Sequence, residues 1–216
     1  MYKWIAVFAL VLLLSACSTN ANQNTGQNQS TDTAKPTPTS NDKVKDDGHV
    51  QAKTPKDAAN AVILALKDAD MAKLSSYVHP DKGLLFSPYA HIDTATAKVF
   101  PAAKLPALTD ATLYQWGAYD GSGEPIKLTF KQYYDKFVYD KNFAEPEAVG
   151  VDQIKGTGNT VVNIKEVFPN SYIMDYYFSG FDPQYEGMDW ESLTLVLEEL
   201  NGAWYVSAIV HSQWTI

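Results

Sequence analysis

The sequence predicts an α+β fold, with N-terminal helices packed on an antiparallel sheet that ends in a long β-hairpin, and three observations carry that prediction. Two strand-like runs between Trp190 and Thr215 flank Asn201-Gly202, a pair suited to both central positions of a type I′ turn. Ala58, Ala61, Val62, Ala65, Leu66 and Ala69 recur at helical spacing and make one apolar stripe of mostly small side chains. Phe130, Tyr133, Tyr134, Phe137 and Val138 repeat that spacing with aromatic rings.

The chain has 216 residues, a formal net charge of −8 and one cysteine, Cys17. That length fits one domain plus appendages. The acidic balance, with no basic cluster in the folded part, argues against nucleic acid as a partner. A single cysteine allows no intramolecular disulfide, so the core must suffice without one.

Residues 1–17 read as an export signal. Lys3 supplies the positive start, and Ile5 to Leu14 form an apolar stretch too short for a comfortable membrane span. The segment closes on Leu14-Ser15-Ala16-Cys17. This resembles the lipobox of bacterial lipoproteins, in which small residues precede a cysteine that is lipidated and becomes the first residue of the mature protein. The resemblance implies acyl chains on Cys17, a lipid membrane as partner, and a location on the cell membrane facing outside the cytoplasm. Two chains suffice for stable anchoring.

Residues 18–53 shift to Asn, Gln, Thr, Ser, Pro and Asp without an aromatic residue. Such a composition buries too little apolar surface to offset its ordering entropy, so a polar, disordered tether is expected. About 36 residues of flexible chain span roughly 30–36 Å, enough to lift a domain off a lipid surface.

The folded domain is expected over residues 54–216. It opens on Thr54-Pro55-Lys56-Asp57, a capping residue, a proline at the first helical position and an acid in the first turn. Asp70 suits the cap of a second short helix, Met71 to Val78, which His79-Pro80 ends. Leu84 to His91 reads as a strand broken or edged by Pro88, and Ile92 to Asp110 as an ordered excursion. Ala111 to Tyr119 reads as a strand, Asp120 to Pro125 as a loop, and Thr129 as the cap of the aromatic helix. Thr160 to Phe168 and Tyr172 to Phe178 read as two further strands joined over Pro169-Asn170-Ser171.

In the final hairpin a two-residue turn at Asn201-Gly202 sets Leu197 opposite Val206, Leu195 opposite Ala208 and Leu193 opposite Val210, all apolar. The other face pairs Glu198 with Tyr205, Val196 with Ser207, Thr194 with Ile209 and Ser192 with His211. That face is mixed and half wet.

This order of elements resembles the nuclear-transport-factor-2-like (SnoaL-like) superfamily. The residues carrying the resemblance are Ala65-Leu66-Lys67-Asp68-Ala69-Asp70 with Leu74 and His79-Pro80, and Leu193 to Val210 with Gly202-Ala203-Trp204-Tyr205-Val206. It implies a cone, in which helices close one side of a strongly curved sheet, with any ligand or active site in the open mouth. Members include isomerases, dehydratases, epoxide hydrolases, cyclases and non-catalytic domains, so the resemblance leaves the function open.

The residues give no complete catalytic set. No metal site and no cofactor is expected, because His49, His79, His91 and His211 stand far apart and no HxxxH or HxH occurs. His91 and Asp93 fit a half-exposed polar pair with no third ligand in sight. Asp120, Ser122 and Glu124 mimic the start of a calcium loop, but Lys131 stands where its glutamate belongs. For acid/base chemistry the candidates are Asp175, which shares a strand face with Ile173 and Tyr177, and His211. The commoner arrangements are a carboxylate on the solvent face of the sheet and a histidine at the surface or rim. Tyr89, Tyr114, Trp116 and Tyr177 are the candidate ligand-binding rings, since amphipathic aromatics suit sugars, peptides and aromatic ligands.

Two functional expectations follow. The first is a non-catalytic module that binds a small molecule, a glycan or another envelope protein. The second is a small cofactor-free isomerase or hydrolase with its acid/base residue in the cone.

Overall fold

The computed structural model describes residues 52–215. The expected signal segment, Cys17 and the tether as far as Gln51 lie outside the described residues. Ala52, at the end of the expected tether, already joins the fold, since its carbonyl accepts from Trp204 N at 2.9 Å.

Local sequence chemistry places the helices. Helix α1 spans Pro55–Lys67, and the Thr54 side chain accepts from Asp57 N across its first turn. Its stripe, Ala58, Ala59, Val62, Ile63, Ala65 and Leu66, is buried. Helix α2, Met71–Ser76, is capped by the Asp70 carboxylate on Lys73 N. After strands β1 (Leu84–Ser87), β2 (Lys98–Phe100), β3 (Tyr114–Ala118) and β4 (Pro125–Leu128) comes helix α3, Phe130–Phe137. It opens on a reciprocal capping box between Thr129 and Gln132, which satisfies two of its free backbone N–H groups. Strand β5 (Ala148–Val151), a one-turn helix α4 (Ile164–Val167), and strands β6 (Tyr172–Phe178), β7 (Glu191–Leu200) and β8 (Ala203–Gln213) complete the order.

Six strands form one sheet in the order β2-β1-β8-β7-β6-β5, and β3 pairs with β4 in a separate two-stranded sheet. The larger sheet is mixed. An antiparallel sheet is expected from the sequence, yet β1 lies parallel to β8, with Leu85 opposite Ala208 and Phe86 opposite Ile209. The crossing is prepared before β1 begins. Val206 N donates to Tyr77 O at 2.8 Å and His79 N to Val206 O at 3.0 Å, so the chain leaving α2 is already laid along β8.

Both faces of the central strands are covered. Leu193, Leu195, Leu197, Val206 and Ile209 belong to the core shared with α1 and with Trp116, Phe130, Tyr133 and Phe137. Val196, Ala208, Val210 and Ile173 pack on the opposite side with Leu85, Ile92, Ile164 and Phe168. A strand covered twice reads as a continuous apolar run, which is why eight neighbouring positions of β8 are buried from Tyr205 to Ser212.

Strands β7 and β8 pair antiparallel either side of Asn201-Gly202, whose φ values of 53° and 78° suit the left-handed turn positions. Glu198 faces Tyr205 and Leu197 faces Val206, as the turn dictates. Beyond them the expected register fails. The ladder shifts between Val196 and Leu197, so Val196 faces Ala208, Leu195 faces Ile209, Thr194 faces Val210, Leu193 faces His211 and Ser192 faces Ser212. Ser207 is the extra residue of a β-bulge. Past it Ile209 and His211 turn toward the α1 face, and Ala208 and Val210 turn away.

Other expectations need correction too. Residues 160–168 do not form a strand: Asn163 binds Ile92 through both amide atoms, Oδ1 accepting from Ile92 N at 2.8 Å and Nδ2 donating to Ile92 O at 3.0 Å, and α4 follows directly. Strand β1 stops at Ser87, before Pro88, and β3 begins only at Tyr114. β2, β4 and β5 are short strands without an alternating signal of their own.

Candidate functional site

Among the described residues, two of the places that bring chemistry-bearing side chains together hold candidates from the sequence. The first is a cleft of about 240 Å³ bounded by Ser87, Tyr89, His91, Asp93, Trp116 and Asp120, with Thr96 and Thr160 at its edge. The break at Pro88 builds one wall. Ser87 Oγ donates to Tyr89 O at 2.7 Å and fixes the turn that presents the tyrosine. Its ring meets Phe137 edge to face at 6.0 Å, and its hydroxyl accepts from Asp120 N at 3.3 Å. Burial pushes the Tyr89 phenol above its usual range.

Trp116 forms the floor. It is 1% exposed, its indole N–H donates to Leu128 O at 3.0 Å, and it stacks on Tyr133 with centroids 3.9 Å apart. Two exposed carboxylates face the opening. Asp93 accepts from Thr96 Oγ1 at 2.8 Å and from Ala95 N at 3.0 Å, and these bonds hold its carboxyl below the usual range. The cleft therefore offers one aromatic ring, hydrogen-bond acceptors on its rim and an exposed imidazole, His91.

The second place is buried under the helical face of the sheet, where His211, Asp140 and Glu191 meet. His211 Nε2 lies 3.4 Å from Asp140 Oδ2 and 3.9 Å from Glu191 Oε2. The imidazole is fully buried and its ring meets Phe137 edge to face at 5.7 Å. Lys141 Nζ stands 3.2 Å from the other carboxylate oxygen, Glu191 Oε1. Burial, together with Asp140 beside it, pushes the Glu191 carboxyl up to about 8. Burial acts in the same sense on Asp140, but the nearby His211 and Glu191 outweigh it and hold that carboxyl below its usual range. One proton between two carboxyl groups is the expected state of such a pair.

The candidate residues from the sequence are thus dispersed. Tyr89 and Trp116 share the cleft. Tyr114 touches Trp116, with centroids 5.5 Å apart, but turns its hydroxyl to Asp110 at 3.0 Å. Tyr177 lies elsewhere, against Trp190 at 6.2 Å. Asp175 is fully buried, not on a solvent face. Its Oδ2 accepts from Lys155 N at 2.7 Å and Gly156 N at 3.4 Å, and its Oδ1 from Thr194 Oγ1 at 2.8 Å. The first two bonds tie a loop to the sheet and the third joins β6 to β7, which are structural tasks. His211 is likewise not at the surface or rim, because the bulge carries it inward. Asp140 and Glu191 were not among the sequence candidates. Only the register beyond Ser207 reveals them, since it is what turns His211 to the face where they lie.

No family model and no curated protein matches the chain. Among solved structures it is similar to the crystal structure of a DUF4783 family protein from Bacteroides ovatus, at 10% identity and a TM-score of 0.26, with 71% of this chain and 92% of that one covered. A match at that score assigns neither fold nor activity.

Proposed function

We propose that this chain is an envelope lipoprotein, held outside the cytoplasmic membrane by acyl chains on Cys17, whose folded part is a non-catalytic module that binds a small polyhydroxylated ligand such as a glycan. The observation that carries the binding claim is the cleft of about 240 Å³ between Tyr89 and Trp116. A sugar ring has an apolar face and a rim of hydroxyl donors. Tyr89 suits the first, and the carboxylates of Asp93 and Asp120 suit the second.

The finer shape belongs to the same proposal: a strongly curved sheet closed by helices, the nuclear-transport-factor-2-like cone. Two observations support it. Helix α1 packs across β6, β7 and β8, and the bulge at Ser207 bends and twists the last strand. Phe86, Trp116, Tyr133 and Phe137 fill the space beneath α3. That filling favours binding at the edge cleft over a cofactor-free isomerase or hydrolase working inside the cone. Among the described residues no helix is long and apolar enough to cross a membrane; the anchor proposed is the lipid on Cys17.

Two measurements test the proposal. In cells making the full chain, labelled palmitate is expected on the protein in the membrane fraction, and Cys17→Ser is expected to abolish the label and release it. Label retained by that variant contradicts the anchor. In NMR titrations of the full chain with N-acetylglucosamine oligomers, shifts are expected at His91, Asp93, Gly117 and Asp120. Shifts confined to other surfaces contradict the cleft.

A further inference from the structure

We infer that Asp140, Glu191 and His211 form a binding site for one divalent first-row transition ion of the Zn2+ class, apart from the cleft and not expected from the sequence. One nitrogen and one oxygen from each carboxylate lie within 4.8 Å of one another. Donor atoms about 2.1 Å from a tetrahedral ion sit about 3.4 Å apart. The His211 to Asp140 separation is already 3.4 Å, and Glu191 Oε2 at 3.9 Å needs only a small approach.

The polar atoms themselves ask for an occupant. His211 is fully buried, yet neither Nδ1 nor Nε2 has a hydrogen-bond partner, because Asp140 is near but out of line. Asp140 Oδ1 and Glu191 Oε2 are buried and unpartnered as well. Buried polar groups are normally satisfied, and His211 Nε2 and Glu191 Oε2, unpartnered atoms that face each other at 3.9 Å with Asp140 Oδ2 beside them, are better explained by an ion between them than by chance. Two adjacent carboxylates cannot both ionise cheaply without a cation between them. A dication beside His211 removes that repulsion.

The donor set selects the ion class. Ca2+ and Mg2+ favour oxygen ligands throughout, whereas an imidazole with carboxylates suits Zn2+, Fe2+, Ni2+ or Co2+. Phe137, edge on to His211 at 5.7 Å, steadies the ring. The Asp140 and Glu191 side chains each keep 16% exposure, so an ion has a route in from solvent. Three protein ligands leave a coordination position for water. Lys141 works against the site: its ammonium holds Glu191 Oε1, leaving Oε2 for the ion.

The test is isothermal titration of the full chain with Zn2+ in a Cys17→Ser background, so that no thiol competes. One bound ion per chain is expected, and Co2+ in its place is expected to give the visible absorption of a site with a nitrogen ligand. Asp140→Asn and Glu191→Gln are each expected to weaken binding by at least about tenfold. His91→Ala, in the cleft, is expected to leave it unchanged. The inference is overturned if the wild-type chain takes up no Zn2+, if binding survives Asp140→Asn undiminished, or if His91→Ala removes it. Should Glu191→Gln fail to fold by circular dichroism, Asp140→Asn, which alters a loop carboxylate, and the Co2+ spectrum still decide.

Discussion

Leu193 and His211 stand opposite each other across the β7–β8 ladder, one residue out of step with the pairing that the Asn201-Gly202 turn sets at its own end. The extra residue, Ser207, reverses which side chains of β8 face the helices. Ile209 gains the α1 side, where it completes the row Leu193, Leu195 and Leu197. His211 gains the same side, where it meets Asp140 and Glu191. One bulge therefore shapes both the core and the polar cluster beneath it.

Deleting Ser207 removes the extra residue but leaves Ala208 opposite Val196, Ile209 opposite Leu195 and His211 opposite Leu193, so Ile209 and His211 keep the α1 side. The deletion is expected to cost no more than about 1 kcal/mol in urea unfolding. A loss of about 3 kcal/mol or more would show that the bend made by the bulge is itself required.

The parts of the fold legible in the sequence are those set by local chemistry. Thr54, Asp70 and Thr129 cap the helices that they predict, and Asn201-Gly202 adopts the positive φ values of its turn. What stayed hidden was set by distant partners. Ser207 carries no mark of a bulge, since serine suits a regular strand position about as well. Val161, Val162 and Ile164 have strand propensity, but the two bonds between Asn163 and Ile92 decide otherwise. The parallel β1–β8 pairing depends on the route after α2, which no periodicity records. Tyr89 and Trp116 were legible as ring candidates. Their separation from Tyr177 was not, because alternation on β6 says which residues share a face but not what covers it.

Asp175 ties residues 155 and 156 to the sheet, and the loop has no slack there. A Cβ added at Gly156 lies 2.2 Å from the Trp190 ring. Gly156→Ala is expected to displace that indole and cost about 1–3 kcal/mol, visible as a shift in tryptophan emission. Asp175→Ala strands two backbone N–H groups and the Thr194 hydroxyl, and is expected to cost about 3 kcal/mol in chemical denaturation. A neutral outcome for Asp175→Ala would mean that water replaces the carboxylate without penalty.

His79 makes stability depend on pH. Its Nδ1 accepts from Asp81 N at 3.3 Å and Lys82 N at 3.2 Å, bonds that only an unprotonated nitrogen accepts. Burial lowers its pKa in the folded state, helped by Lys82 and opposed by Glu198 and Asp81. The unfolded chain, with a value near about 6.5, then binds more protons, so stability falls as pH drops through that value. The His79→Gln variant keeps an acceptor but does not titrate. Thermal melts from pH 8 to pH 5 should show the wild-type advantage over that variant shrinking toward acid, and a constant difference would contradict the account.

Tyr133 carries a hydroxyl into the core without a partner, and burial raises its pKa well above the usual phenol range. Tyr133→Phe removes the orphan and keeps the ring stacked on Trp116. A gain of up to about 1 kcal/mol is expected in thermal unfolding. A loss of that size would reveal a water or ligand on the hydroxyl.

The account's central claim, that ligand binding belongs to the Tyr89–Trp116 cleft, is tested most directly by comparing Tyr89→Ala with Tyr177→Ala in titrations of the full chain with N-acetylglucosamine oligomers. Both remove a half-buried tyrosine, but only Tyr89 lines the cleft. Binding weakened about tenfold by Tyr89→Ala and unchanged by Tyr177→Ala is the predicted result, as expected for the loss of one aromatic contact. Binding that survives the first substitution and fails with the second would contradict the cleft and move the site to the Trp190 side of the sheet.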